Sequence, residues 1–234
     1  GTRDPDLAKI HCAAGAVVAA LVATVLPPSA RSLASWHLSL TGIAALNAMA
    51  RFDRVKLDET VFSCPSHRPQ LLHVLDRLFA DALAPCATQA PRDLCLDAVV
   101  ELVGHFALEN QECLQWNSAS RVTLLHRLVH LPFRYFSRPQ HKDVLFPTLV
   151  AGCVHNDRNA AVAANDLSMR VLADYVHAHL DDDDHDDDVK QEDAGDDATS
   201  PQRAGRGLRG RVPEDLWPQA AAYFDRLCDA ETLD

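Results

Sequence analysis

The chain has 234 residues, 47% of them hydrophobic and only 6% aromatic, with a formal net charge of −11 at pH 7. That length allows one sizeable core or one end of a longer array, and the scarcity of rings fits an Ala/Leu/Val-rich helical class. The acidity is local: residues 181–200 hold eleven acids and one lysine, residues 201–213 four arginines and no acid, so no broad basic excess marks a nucleic-acid surface.

Taken in order, the chain reads as a succession of helices. It starts without an initiator Met and is expected to be a fragment with more sequence upstream. Asp4-Pro5-Asp6 opens a helix that runs to Leu26 and stops at Pro27-Pro28. Its run from Cys12 to Leu26 is about fifteen residues, short of the ~20 that span a bilayer, so a buried core helix is favoured. Ser29 or Ser32 starts a second helix towards Phe52, and residues 53–68 are mixed, with one short turn from Asp58 to Phe62. Pro69 to Pro85 encloses a third helix, residues 85–92 form a loop, and Asp93 caps a fourth. Leu94, Cys95, Ala98, Val99, Leu102, Val103 and Phe106 give this one the cleanest apolar stripe in the chain.

Asn110 to Ser118 reads as an irregular connection with a short turn at Cys113-Leu114. Ser120 caps a helix with apolar positions from Val122 to Leu131, which Pro132 stops. A corner rich in proline and aromatic residues follows, in which Phe133, Phe136 and Phe146 are expected as core rings and Tyr135 as a hydrogen-bonded one. The next helix begins near Gln140, and Pro147 either kinks it or marks its true start near Phe146. After a turn at residues 155–159, a last body helix runs from about Asn159 to Leu180. Residues 181–211 combine like charges with few apolar residues and are expected to be a disordered linker, acidic and then Arg/Gly-rich. Pro213 restarts helix, and Trp217, Tyr223 and Phe224 should dock it back on the body. The division is thus 1–180, 181–211 and 212–234. The fold class is all-α, an irregular armadillo- or HEAT-like array at the end of a longer solenoid.

Chemistry-bearing constellations are few. Cys12, Cys64, Cys86, Cys95, Cys113, Cys153 and Cys228 are odd in number and contain no C-x-x-C, which fits reduced, buried thiols in a cytosolic protein. His126 and His130 share a helix face at i, i+4, but Arg127 stands where a metalloprotease carries its glutamate, and no third ligand is evident. Cys153 and His155 would point to different sides of a helix. Phosphate-binding glycine motifs and a nucleophile elbow are absent from the sequence. No catalytic, cofactor-binding or metal-ligating residue is therefore expected, and the chain is read as a non-enzyme. Two other readings stay open: RNA binding through the arginines of RAGRGLRGR, and a Cys/His metal or thiol enzyme.

The corner also carries a resemblance. Leu124, Leu125 and Leu128 lead into Leu131-Pro132-Phe133, Tyr135-Phe136-Ser137 and Pro139, followed by Val144-Leu145-Phe146-Pro147-Thr148-Leu149, Ala151 and Cys153. Val103-Gly104, Phe106 and Asn110-Gln111 upstream fit the same pattern, as do His155-Asn156, Asn159 and the closing helix with Trp217, Ala220 and Phe224. This resembles the C-terminal end of the S-phase cyclin A-associated protein in the ER (SCAPER) family. The stretch 181–211 departs from that pattern, and the family's zinc finger has no counterpart here. The resemblance implies an adaptor, cytoplasmic, on ribosomes or at the endoplasmic reticulum surface. Its implied partners are cyclin A, the ribosome, a tubulin-sensing tetratricopeptide factor and the deadenylase complex, in tubulin autoregulation by mRNA decay. The polar rim of the corner, Arg134, Arg138, His141 and Lys142, is the candidate partner contact.

Overall fold

The computed structural model describes residues 13, 16–20, 33–63, 67–83, 90–116, 121–186, 208, 210 and 212–231. Among them every regular element is a helix, so the all-α expectation holds. The expected helix start at Asp4, the stop at Pro27-Pro28, the caps at Ser29, Ser32 and Ser120, and the arginines of RAGRGLRGR lie outside the described residues; residues 16–20 are helical.

The first four complete helices are α1 (Leu33–Phe52), α2 (Arg54–Ser63), α3 (His67–Leu83) and α4 (Ala90–Glu109). α2 replaces the single turn expected over residues 53–68. Asp53 Oδ1 accepts the Lys56 amide at 3.0 Å, and Leu57 and Val61, one turn apart, are buried. α4 starts at Ala90, so Asp93 stands in its first turn rather than at its cap. Leu94, counted in the apolar stripe, is 58% exposed, whereas Leu96, Val100 and Ala107 join the buried set. With apolar residues buried around most of its girth, α4 is the central helix.

Two helices flank it. Asn47 Nδ2 on α1 donates to the Ala98 carbonyl at 2.8 Å, and Arg51 pairs with Glu101 at 2.7 Å. On the other side lies α7 (Pro139–Cys153), where Thr148 Oγ1 donates to the Val100 carbonyl at 3.1 Å. Residue numbers rise together along both seams, so α1, α4 and α7 run in the same direction. Their contact is close: a Cβ on Gly152 would fall 2.0 Å from Leu114 Cδ1 and 3.8 Å from the Ala107 Cβ.

The links between α4 and α7 are short elements. A 3₁₀ helix, Gln111–Gln115, is capped by Asn110. Gln111 Nε2 then donates to the carbonyls of Ala151 (2.9 Å) and Val154 (2.7 Å), satisfying acceptors at the end of α7. α5 is only Leu124–Val129, because Thr123 caps it through the His126 amide at 3.2 Å and His130 closes it. The corner holds one further turn, α6 (Arg134–Ser137). Pro139 occupies the first turn of α7, and the helix passes through Pro147 rather than starting there; Pro147 is buried.

The single helix expected from Asn159 to Leu180 is two helices, α8 (Asp157–Ala164) and α9 (Met169–Asp186). Asn165, Asp166 and Ser168 lie in the break, where short polar side chains compete with helical backbone bonding. α9 runs six residues beyond the expected boundary at 180, since a helix once nucleated extends at little cost. Leu208, placed in the linker by sequence, is 1% exposed, and a Cβ on Gly104 would lie 2.0 Å from its Cδ2. Within 181–211, residues 181–186 thus belong to α9 and Leu208 is buried. α10 (Leu216–Glu231) buries Trp217, Tyr223 and Phe224 against α9 and the α7–α8 turn, with Tyr223 Oη donating to Asp157 at 2.9 Å.

Candidate partner-binding surface

The Pro/aromatic corner packs on the first turns of α4. Tyr135 is fully buried, and its hydroxyl donates to Asp97 Oδ1 at 2.5 Å. His141 Nδ1 lies 3.3 Å from the same oxygen, with its ring 4.7 Å from that of Tyr135. Burial pushes the Asp97 carboxyl above its ordinary range, against the opposing bond from Tyr135 and the charge of His141. The Tyr135 phenol is pushed far up, first by burial and then by Asp97. Arg134 reaches Asp93 at 2.6 Å from the other side of the turn. These bonds hold the corner to α4 at three points.

Of the four rim residues, Arg134 is half-buried and paired with Asp93, and His141 is buried against Asp97. Arg138 is exposed, and Lys142 is partly so, with its ammonium 5.8 Å from the Phe146 ring. The structure thus brings Arg134 and His141 inward to the same face of α4 and leaves Arg138 and Lys142 towards solvent. Phe146 is a core ring, edge-on to Tyr175 at 5.0 Å. Phe133 corrects the expectation of a core ring: it is 80% exposed. α6 begins immediately after it, and that turn sends Tyr135 inward and Phe133 outward.

A second concavity was not visible in the sequence. Arg68, Glu112, Gln115, Trp116, Asn156, Arg158 and Asn159 line a polar groove of about 410 Å³, with the Arg68 guanidinium 4.1 Å over the Trp116 ring. Its residues come from three distant segments, and no local motif links them.

Among the described cysteines, Cys95, Cys113, Cys153 and Cys228 are buried, as the sequence led one to expect. Burial pushes the Cys153 thiol up to about 12 and the Cys113 thiol further. Neither has the thiolate character of a nucleophile at neutral pH. His155 leaves the helix with φ 60° and bonds Gln219 at 3.1 Å. The pair His126 and His130 does acquire a third partner, Asp166. The α8–α9 break, which no periodicity revealed, brings it there. Among the described residues no helix is long and apolar enough to cross a membrane.

Comparison with known proteins supports the resemblance. Over 103 residues, 43% of the chain, the sequence is 34% identical to the human "S phase cyclin A-associated protein in the endoplasmic reticulum". The match spans 7% of that protein's length. No family model matches the chain, and no solved structure does.

Proposed function

We propose that the chain is a non-enzymatic scaffold segment whose helical surface receives a protein partner at the outer side of the corner. The observation that carries this is Phe133, a large ring 80% exposed, in the same corner as the exposed Arg138 and within the stretch that carries the resemblance. An exposed ring and an exposed arginine in one corner have the composition of a binding hot spot. The contact set is Phe133, Arg138 and Lys142, with Arg134 and His141 positioning the turn from inside. The common direction of α1, α4 and α7 supports a second part of the proposal, that the body is the end of an irregular armadillo- or HEAT-like array.

The human protein's name associates it with cyclin A and the endoplasmic reticulum. By that similarity the proposed setting of this chain is a complex at the endoplasmic reticulum surface, with cyclin A among its associates. The finer proposal, from the family resemblance, is an adaptor between a ribosome-bound tubulin-sensing factor and the deadenylase complex.

The test is cross-linking mass spectrometry and affinity purification from cells, comparing wild type with Phe133→Asp/Arg138→Glu/Lys142→Glu. Partner recovery should fall at least about tenfold while helical circular dichroism stays unchanged. Equal recovery of every partner would sink the proposal for this surface.

A further inference from the structure

His126 and His130 stand one turn apart at the end of α5, and the break between α8 and α9 sets Asp166 beside them. One imidazole nitrogen from each histidine and one carboxylate oxygen of Asp166 all lie within 4.8 Å of one another. The two rings are 4.0 Å apart, and His130 Nε2 is 3.8 Å from Asp166 Oδ1.

The orientation of His130 is informative. Its Nδ1 lies 2.9 Å from the His126 carbonyl oxygen. A carbonyl can only accept, so Nδ1 carries the proton in that bond, and Nε2 is the nitrogen that faces Asp166. A metal-bound imidazole is held in the same way, one nitrogen donating to a carbonyl and the other free to ligate. Asp166 is placed by its own amide, which donates to the Ala163 carbonyl at 3.1 Å. All three side chains are exposed, so an ion can enter from solvent.

We infer that His126, His130 and Asp166 form a binding site for a divalent transition-metal ion of the zinc class. Two imidazoles and one carboxylate are a borderline donor set, suited to zinc and its first-row neighbours rather than to magnesium or calcium. Tetrahedral zinc at about 2.0–2.1 Å from its ligands holds them closer together than 4.8 Å. Exposed side chains close that gap by rotation. The fourth position faces solvent and takes water or a partner's side chain. The ion clips the end of α5 to the α8–α9 break.

The test titrates the whole purified chain with zinc alone, and with cobalt alone for its spectrum. One equivalent should bind, the cobalt form should lack a sulfur-to-metal charge-transfer band, and zinc should shift the imidazole resonances of two histidines. His126→Ala, His130→Ala and Asp166→Asn should each weaken binding at least about tenfold, with circular dichroism unchanged. His177→Ala, an exposed histidine paired with Asp225, should leave it unaltered. Full binding in the His126→Ala/His130→Ala/Asp166→Asn variant, a thiolate band, or no stoichiometric binding by the wild-type chain would each overturn the site. Wild-type affinity in Asp166→Asn would overturn the three-ligand assignment. The imidazole shifts are read in the unmutated chain, so the test survives a variant that fails to fold.

Discussion

Asp58 on α2 has one carboxylate oxygen buried without a hydrogen bond. Burial first, then the charges of Glu109 and Glu59, raise its pKa from 3.8 to about 6. Between those values the folded chain keeps a proton that the unfolded chain has released, so stability falls as pH rises through that window. Above it the ionised group costs the fold. Asp58→Asn should therefore add about 1 kcal/mol at pH 7, a figure discounted for the half-exposed site. The gain should vanish near the unfolded pKa, and urea denaturation at the two pH values reads the difference. Gly152 is the opposite case, a residue whose missing side chain is the point. Gly152→Ala would drive a methyl into Leu114, with an expected loss of about 1–3 kcal/mol in the same assay. Tyr135 and Phe133 show how far a residue's fate could be read from sequence. A buried tyrosine needs a partner, so the bond from Tyr135 was legible. Two rings one residue apart from each other across Arg134 look alike as text; which one faces inward was decided by the turn of α6.

At the scale of elements, the corner is held to α4 by Tyr135, Arg134 and His141 on Asp97 and Asp93. Tyr135→Phe removes one donor and leaves the partly buried Asp97 carboxylate less satisfied, for an expected cost of about 1–3 kcal/mol. Amide exchange in α6 and the start of α7 should rise in that variant, whereas α1 should keep its protection. Most helices were legible, because apolar residues recur at helical spacing and prolines bound them. Misplaced ends have physical causes. α2 was missed since its apolar anchors, Leu57 and Val61, are too few for a pattern, and a side-chain cap completes it. The α8–α9 break was missed since Leu167 and Val171 continue the helical spacing across it. The groove over Trp116 and the meeting of Asp166 with the two histidines were beyond sequence reading, because both depend on segments brought together only by packing.

At the scale of the whole molecule, α10 closes the fold through Trp217, which is 3% exposed and lies with its ring 4.1 Å from that of His179. Trp217→Ala should cost about 3–5 kcal/mol, read as a lower urea midpoint with an early loss of protection in α10. The shared direction of α1, α4 and α7 has an electrostatic consequence. Antiparallel neighbours cancel their peptide dipoles, but these add, and each leaves about half a positive charge at its amino end. Contacts of Asp93 with Arg134 and of Asp97 with Tyr135 put the amino ends of α4 and α7 at one edge, beside Arg138 and Phe133. In an overall acidic chain, that edge is a local positive pole. A partner arriving there should present carboxylates or phosphate around an apolar pocket, and its association rate should fall as salt is raised from 0.05 to about 0.5 M.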